Sequence, residues 1–131
     1  MAEGTFGTAI NCIDGRVQAP VAEWVRARFG VQYVDTVTAP GPDGVLTQGT
    51  PPAIALIRDY ARVSQEAHHS GVVAIAGHFG CAGYPVPPDE HKTAIRAAAA
   101  IVASWGMPMR VIGLWVNEGG QIEVVSDSAT G

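Results

Sequence analysis

The chain has 131 residues, of which 47% are hydrophobic and 15% are charged. This composition excludes a disordered chain, and no apolar run approaches the roughly 20 residues that a membrane-spanning helix requires. Eight basic against twelve acidic side chains give a net charge of −4 without any basic run, so we expect neither a nucleic-acid nor a membrane partner. At roughly 100–200 residues per domain, we expect residues 1–131 to form a single domain.

Hydrophobic periodicity and the positions of glycine and proline divide the chain into alternating strands and helices. In chain order, we predict a strand over 5–11, a helix over 20–29, a strand over 31–37, a loop over 39–44, a helix over 51–69, a strand over 72–76, a helix over 89–105, and strands over 109–116 and 122–125. Thr50 followed by two prolines is typical of a helix start. We expect residues 126–131 to form a flexible tail.

This alternation predicts an α/β fold with three layers, in which a mostly parallel sheet has helices on both faces. We take the strand order 2-1-3-4 as a hypothesis, which makes the first and third strands neighbours. We also expect an antiparallel fifth strand, because the Asn-Glu-Gly-Gly sequence at 117–120 resembles a hairpin turn. In such a sheet, ligands bind at the carboxyl ends of the strands where the strand order reverses. With this order, the functional residues are expected at the ends of the first and third strands.

Two cysteines and a histidine stand at those strand ends. Cys12 ends the first strand, and His78 and Cys81 follow the third. Two thiolates and one imidazole are the ligand set of a catalytic zinc site, which leaves the fourth tetrahedral position open. The sequence therefore predicts a metal site formed by these three residues.

An aspartate and an arginine follow the first cysteine at intervals of two residues, as Asp14 and Arg16. Beside a metal, a carboxylate either ligates the ion or accepts a hydrogen bond, and a bidentate arginine keeps it ionised. A helix-capping aspartate with a surface arginine is the alternative. The nearby cysteines and histidine favour the functional interpretation.

The other three histidines have no cysteine near them in sequence. His68 and His69 end a predicted helix, where a cation suits the helix dipole, and we expect both at the surface. His91 lies in the first turn of the next helix and could approach the metal site, although an ordinary structural role is favoured.

The motifs Cys-x-Asp-x-Arg at 12–16 and Gly-His-x-x-Cys at 77–81 together resemble the signature of the β-class carbonic anhydrases, zinc enzymes that interconvert carbon dioxide and bicarbonate. The resemblance extends over about residues 6–125. It implies one zinc ion per chain, held by the two cysteines and the histidine, with Asp14 and Arg16 as a catalytic dyad. In some members the matching aspartate takes the fourth zinc position, so Asp14 is an alternative fourth ligand. The resemblance also implies a homodimer or a higher homo-oligomer.

Apolar side chains beside the second cysteine predict a wall for a small nonpolar substrate, with packing of the loop as the alternative. They are Phe79, Ala82, Tyr84 and Val86. The Arg-Asn-Ala-Gly-like loop that is usual in the resembled family is Thr-Ala-Pro-Gly-Pro-Asp here, at 38–43, and only Gly41 matches it. We assign Gly41 and Gly83 to the predicted pocket, and we interpret Asp43 as a turn residue.

These residues predict a zinc enzyme in which zinc-bound hydroxide, oriented by the Asp-Arg dyad, attacks carbon dioxide and yields bicarbonate. Carbonyl sulfide and carbon disulfide are alternative substrates, because the same attack serves all three linear molecules. A non-catalytic zinc protein, with Asp14 closing the fourth position, is a further alternative. A redox role for the cysteines is disfavoured because the chain has no Cys-x-x-Cys motif. The first residues lack the pattern of a secretory signal, so we expect a cytoplasmic protein.

Overall fold

The computed structural model describes residues 4–129 of the chain. In this part of the chain the strands are β1 (Phe6–Cys12), β2 (Tyr33–Ala39), β3 (Val72–His78), β4 (Arg110–Val116) and β5 (Ile122–Asp127). The helices are α1 (Gly15–Phe29), α2 (Pro42–Gln48), α3 (Pro51–His68) and α4 (Pro88–Ser104).

The strands form a five-stranded sheet with the order β2-β1-β3-β4-β5. The first four strands are parallel, and β5 pairs antiparallel with β4. This confirms the predicted α/β fold, the predicted strand order and the antiparallel fifth strand. The strand order reverses between β1 and β3, so the carboxyl ends of these neighbouring strands share one edge of the sheet.

Alternating side chains of the central strands supply two separate apolar layers. On one face, Ala74 and Ala76 of β3 belong to a buried cluster with Val21 of α1. On the other face, Val73 and Ile75 belong to a second cluster, with residues of α2, α3 and α4. Because both faces of β3 are covered, all seven of its residues are buried. The helices therefore lie on both faces of the sheet, as predicted.

Helix α1 begins five residues earlier than the predicted start at Pro20. Its N-cap is Asp14, whose side chain accepts a hydrogen bond from the backbone N–H of Arg16. Val17 and Val21 are both buried, so one apolar face continues past Pro20, although proline provides no backbone N–H for the helix. A side-chain cap and a continuous buried face therefore outweigh the helix-breaking tendency of proline here.

The segment predicted to be a loop over 39–44 contains the start of helix α2. Pro42 occupies the first helical position, Asp43 lies in the first turn, and Leu46 is buried. Proline and aspartate are typical of helix starts as well as of turns. The loop prediction was wrong from residue 42 onward because the buried leucine anchors a helix that composition alone does not reveal.

The predicted flexible tail was wrong for residues 126–129. Ser126 and Asp127 lie in β5, and the Asp127 carboxylate accepts hydrogen bonds from the Arg110 guanidinium at 2.6 and 2.9 Å. Ser128 then accepts a hydrogen bond from the backbone N–H of Val111. The last two residues of the predicted tail, 130–131, lie outside the described residues. Among residues 4–129, no helix has the length and apolar character needed to cross a membrane.

Candidate metal centre

The side chains of Cys12, His78 and Cys81 meet at the sheet edge where the strand order reverses. All three are buried, and their ligand atoms lie within 4.8 Å of one another. The sulfur atoms of Cys12 and Cys81 are 3.9 Å apart, and both cysteines are free thiols. This cluster could hold a metal ion.

The parallel sheet explains why residues so distant in sequence come together. Cys12 and His78 are the last residues of β1 and β3. One further backbone hydrogen bond, from Phe79 N–H to the carbonyl of Val116 at 2.9 Å, extends the strand pairing just beyond His78. The loop that follows then returns Cys81 toward Cys12.

The His78 ring is oriented for a metal through its second nitrogen. Its Nδ1 lies 2.8 Å from the carbonyl oxygen of Phe79, so Nδ1–H is the donor and Nε2 keeps a free lone pair. Nε2 is buried and has no hydrogen-bond partner among the described residues. An imidazole held in this way is suited to metal ligation.

The Cys81 thiol lies in an environment that disfavours its anion when no cation is bound. Burial raises its pKa to about 11, and the neighbouring Cys12 sulfur adds to this rise. The backbone N–H groups of Tyr84 and Gly83 act in the opposite sense by hydrogen bonding to the Cys81 sulfur. A bound cation would favour the thiolate much more strongly, because thiolates are the metal-ligating form.

Asp14 and Arg16 form a bidentate ion pair beside this cluster. Arg16 Nη2 donates to Asp14 Oδ2 at 2.6 Å, and Arg16 Nε donates to Oδ1 at 3.0 Å. The side-chain hydrogen bonds from Arg16 hold the pKa of Asp14 well below its usual range, and the Arg16 backbone N–H contributes further. Asp14 Oδ2 lies 4.0 Å from His78 Nε2. An ionised carboxylate therefore borders the cluster while it also caps α1.

Two cavities adjoin the cluster, and Phe79 lines both. A cavity of about 490 Å³ lies on the Cys81 side and is lined mainly by apolar residues, including Ala82, Val86 and Trp115. A cavity of about 170 Å³ lies on the His78 side and is more polar, with Arg16, Asn117 and Glu118 in its lining. Two polar residues of the β4–β5 turn, Asn117 and Glu118, were not among the predicted site residues, because only the strand pairing brings that turn to the site.

Tyr84, Gly41 and Gly83 pack against one another rather than line these two cavities. A Cβ atom at Gly41 would lie 2.8 Å from Tyr84 Cβ, and one at Gly83 would lie 2.5 Å from the backbone of Pro40. Gly41 also has a φ of 60°, which favours glycine. The structure thus places three of the predicted pocket residues in a tight contact between the second cysteine's loop and the start of α2.

A buried Asp43–His91 pair lies close to this contact. Asp43 is 0% exposed and His91 is 1% exposed, and Asp43 Oδ2 lies 2.6 Å from His91 Nδ1. The interpretation of Asp43 as a turn residue was wrong, because it lies in a helix and is paired across 48 positions of sequence. Proline before Asp43 was the one local signal of a helix start; no local pattern indicates its partner.

The two histidines that end α3 differ in their surroundings. His69 is exposed in the left-handed region, with a φ of 56°. His68 is half-buried, lies 2.6 Å from Asp35 Oδ2 through its Nδ1 atom, and stacks on Phe6 with ring centroids 4.0 Å apart. The predicted surface position is therefore found for His69 and only partly for His68.

Comparison with known protein families identifies the chain. Residues 2–126 match the sequence model of a family described as "Putative carbonic anhydrase". The chain belongs to this carbonic anhydrase family. The family resemblance that the two sequence motifs indicated is thus confirmed. No curated protein matches the chain significantly.

Solved β-carbonic anhydrases share the fold of this family member. The β-carbonic anhydrase isoform I of Trichomonas vaginalis matches with a TM-score of 0.63 and 15% identity, covering 92% of this chain and 82% of that one. The carbonic anhydrase of Streptococcus mutans matches with a TM-score of 0.58 and 12% identity, covering 91% and 81%. One of two tetrameric β-carbonic anhydrases described from Sordaria macrospora matches with a TM-score of 0.52 and 13% identity, covering 92% of this chain and 79% of that one. At these identities, the likeness establishes the fold alone.

Proposed function

We propose that this protein is a zinc-dependent carbonic anhydrase that catalyses the reversible hydration of carbon dioxide to bicarbonate. The observation that carries the proposal is the buried cluster of Cys12, His78 and Cys81 beside an arginine-paired carboxylate, in a chain of the carbonic anhydrase family. The reaction adds water to carbon dioxide and releases one proton with each bicarbonate.

The donor set fits zinc in number, chemistry and spacing. Two thiolates and one imidazole are typical zinc ligands, and tetrahedral zinc with Zn–S bonds of about 2.3 Å places two sulfurs about 3.8 Å apart. The Cys12 and Cys81 sulfurs are 3.9 Å apart. We therefore assign one zinc ion per chain to these three residues. When bound, zinc supplies the Lewis acidity that makes water nucleophilic near neutral pH.

Asp14 and Arg16 would orient the attacking water. The Asp14 carboxylate, ionised at neutral pH, can accept a hydrogen bond from that water and aim its lone pair at the carbon atom of the substrate. Arg16 donates to both carboxylate oxygens, and its Nη2 also donates to the Gly80 carbonyl at 3.3 Å. These contacts favour a role for Asp14 as the partner of Arg16 over a role as the fourth zinc ligand, because binding to zinc would compete with the hydrogen bonds from Arg16.

The apolar cavity on the Cys81 side suits a small nonpolar molecule. Phe79, Ala82 and Val86 line its approach to the cluster. Because carbon dioxide is nonpolar, its transfer from water into this cavity would cost little free energy. Carbonyl sulfide and carbon disulfide are also small and nonpolar, and they serve as alternative substrates in the test.

The proposal is tested by the zinc content of the purified protein and by stopped-flow hydration of carbon dioxide. We expect one zinc per chain and rapid hydration. We expect Cys81→Ser to lose zinc and activity together, whereas Asp14→Ala keeps zinc and loses at least about tenfold in rate.

The control for these variants is Ser64→Ala. Ser64 is a buried residue of α3 whose hydroxyl lies 2.6 Å from that of Thr8, toward the amino end of β1 and away from the metal cluster. We expect this variant to keep both zinc and activity. If the native protein binds zinc and does not hydrate carbon dioxide, the assignment as a carbonic anhydrase is wrong. If the same preparation hydrolyses carbonyl sulfide, that molecule becomes the proposed substrate.

We also propose that the protein forms a homo-oligomer through the outer face of α3 and the free edge of β2. Leu56, Tyr60 and Val63 are large apolar side chains exposed on α3. Between this helix and β2 lies a cavity of about 240 Å³, and β2 is an edge strand. An exposed apolar face beside an open sheet edge is typical of an interface.

A cytoplasmic location is part of the same proposal. Cys12 and Cys81 are free thiols 3.9 Å apart, and a reducing compartment keeps such a pair available for a metal. Cell fractionation with an antibody to the protein tests this location, and recovery outside the cytoplasm would contradict it.

A further inference from the structure

The buried Asp43–His91 pair leaves two polar atoms without a protein partner in the part of the chain that the structure describes. Besides their mutual 2.6 Å contact, Asp43 Oδ1 and His91 Nε2 are buried and have no hydrogen-bond partner among the described residues. Polar atoms buried in this way destabilise a folded protein. Replacing a buried pair of this kind by apolar groups of similar volume is often neutral or stabilising. The pair's contacts with the metal loop, defined as residues 77–84, indicate another role for it.

The pair contacts the first residue of the metal loop. A Cβ atom at Gly77 would lie only 2.7 Å from Asp43 Oδ2, so the carboxylate rests directly on the backbone of β3 at this point. His78 follows immediately, and side chains of a strand alternate between its two faces. Asp43 therefore supports the strand end from the face opposite to the ring of His78.

The pair also contacts the last residue of the metal loop. The His91 ring meets the Tyr84 ring edge-on, with centroids 5.1 Å apart. On its other side, the Tyr84 ring lies so close to Gly44 that a Cβ atom there would be 2.6 Å from Tyr84 Cδ1. Tyr84 follows Cys81 by three residues in the same loop. A shift of the Tyr84 ring would therefore move the backbone that carries this metal ligand.

A third contact reaches the apolar cavity. The His91 ring centroid is 5.3 Å from that of Trp115, and Trp115 lines the cavity together with Cys81. Both ends of the metal loop and the strand beside it are therefore in contact with one buried pair that lies outside the metal-ligand cluster.

We propose that Asp43 and His91 are a positioning pair that holds the two ends of the metal loop at the separation that metal binding requires. The inference rests on the proposed zinc centre. By fixing Gly77 and Tyr84, the pair keeps His78 Nε2 and the Cys81 sulfur close enough to share one ion. Its contribution is to metal affinity and ligand geometry rather than to the stability of the fold.

The experiment compares two double variants with a matched control. Asp43→Asn/His91→Gln replaces both ionisable groups by amides, and Asp43→Leu/His91→Phe fills a similar volume with apolar groups. One variant remains informative if the other fails to fold. The control is Asp35→Asn/His68→Gln, because that Asp–His pair has the same 2.6 Å contact. This pair is partly exposed and lines the cavity of the proposed interface, so light scattering confirms that the control and the native protein are compared in the same oligomeric state. Asp35 lies about four residues along β2, or roughly 13 Å, from the position that pairs with Cys12.

The readouts are zinc affinity, by competition with a chromogenic chelator, and the absorption spectrum of the cobalt-substituted protein, which reports ligand geometry. We expect both Asp43/His91 variants to bind zinc at least about tenfold more weakly than the native protein and to show altered cobalt bands. We expect the unfolding midpoint of the metal-free apolar variant to be unchanged or higher. The control should bind zinc within about twofold of the native protein.

Zinc affinities within about twofold of the native value in both Asp43/His91 variants, with unchanged cobalt spectra, would overturn the inference. An equal loss of affinity in the Asp35/His68 control would also overturn it, because the effect would then be general. A native protein that binds no zinc would remove the proposed metal centre and this inference with it. A native protein that binds zinc and fails to hydrate carbon dioxide would remove only the catalytic proposal.

Discussion

At the scale of single residues, Arg16 combines exposure with a fixed geometry. Its side chain is 70% exposed, yet its guanidinium donates to both oxygens of Asp14 and to the carbonyl of Gly80. Exposed ion pairs contribute little to stability, so this arrangement is better suited to orienting the carboxylate than to holding the fold. The Asp14–Arg16 motif was recognised in the sequence because both residues follow Cys12 so closely.

Replacing Arg16 should therefore reduce catalysis without removing the metal. We expect Arg16→Gln to lower kcat/KM for carbon dioxide hydration by about 10- to 100-fold with full zinc content, and Arg16→Lys to restore only part of the rate, because lysine lacks the bidentate geometry. Arg58→Gln is the matched control, since Arg58 is a partly exposed arginine paired with Asp59 on α3. A native rate of hydration in zinc-loaded Arg16→Gln would rule out the proposed catalytic role of the Asp14–Arg16 dyad.

At the scale of elements, β5 is joined to β4 by an ion pair as well as by the strand ladder. Asp127 and Arg110 form a bidentate contact, and the side-chain hydrogen bonds from Arg110 lower the pKa of Asp127 from 3.8 to about 2. A carboxyl group whose pKa falls on folding stabilises the folded state above its unfolded pKa, and this contribution is lost as the pH falls through the folded pKa. The pair therefore stabilises β5 above about pH 4 and ceases to do so near pH 2.

We expect Asp127→Asn to lower the free energy of unfolding by about 1–2 kcal/mol at pH 6. The difference from the native protein should narrow as the pH is lowered from 5 to 3, because the native carboxyl group then takes up a proton on unfolding. Urea denaturation across this pH range measures both effects. Asp59→Asn is the control, because Asp59 is 61% exposed in its ion pair. A difference in the free energy of unfolding between the native protein and Asp127→Asn that stays constant with pH would contradict this account of the ion pair.

At the scale of the whole molecule, the two edges of the sheet differ in their surroundings. Beside β2, the exposed apolar residues of α3 form a continuous face with a cavity behind Tyr60 and Val63. At the other edge, Val124 of β5 is 47% exposed as a single large apolar side chain. The proposed homo-oligomer therefore uses the β2 edge. That residues 1–131 form a single domain stays a prediction.

We expect light scattering to show a dimer or a larger assembly for the native protein. Tyr60→Glu should weaken assembly by at least about tenfold in dissociation constant, because it places a charge in the centre of the apolar face. Val124→Glu introduces the same charge at the opposite edge and should leave the assembly unchanged. A native protein that is monomeric at all concentrations, or equal behaviour of the two variants, would contradict the proposed interface.

The structure confirmed the strand order 2-1-3-4, which was a hypothesis at the level of the sequence. The sequence by itself predicted a mostly parallel sheet with alternating helices, and it placed Cys12, His78 and Cys81 at the ends of the first and third strands. These features follow from local periodicity, from glycine and proline at the junctions, and from the rule that parallel strands end together. Tertiary structure alone decided that Asp43 pairs with His91, that Tyr84 faces α2 rather than the apolar cavity, and that Asp127 secures β5. Each of these contacts joins residues far apart in sequence, and the close approach of whole elements sets its partners, which no local pattern encodes.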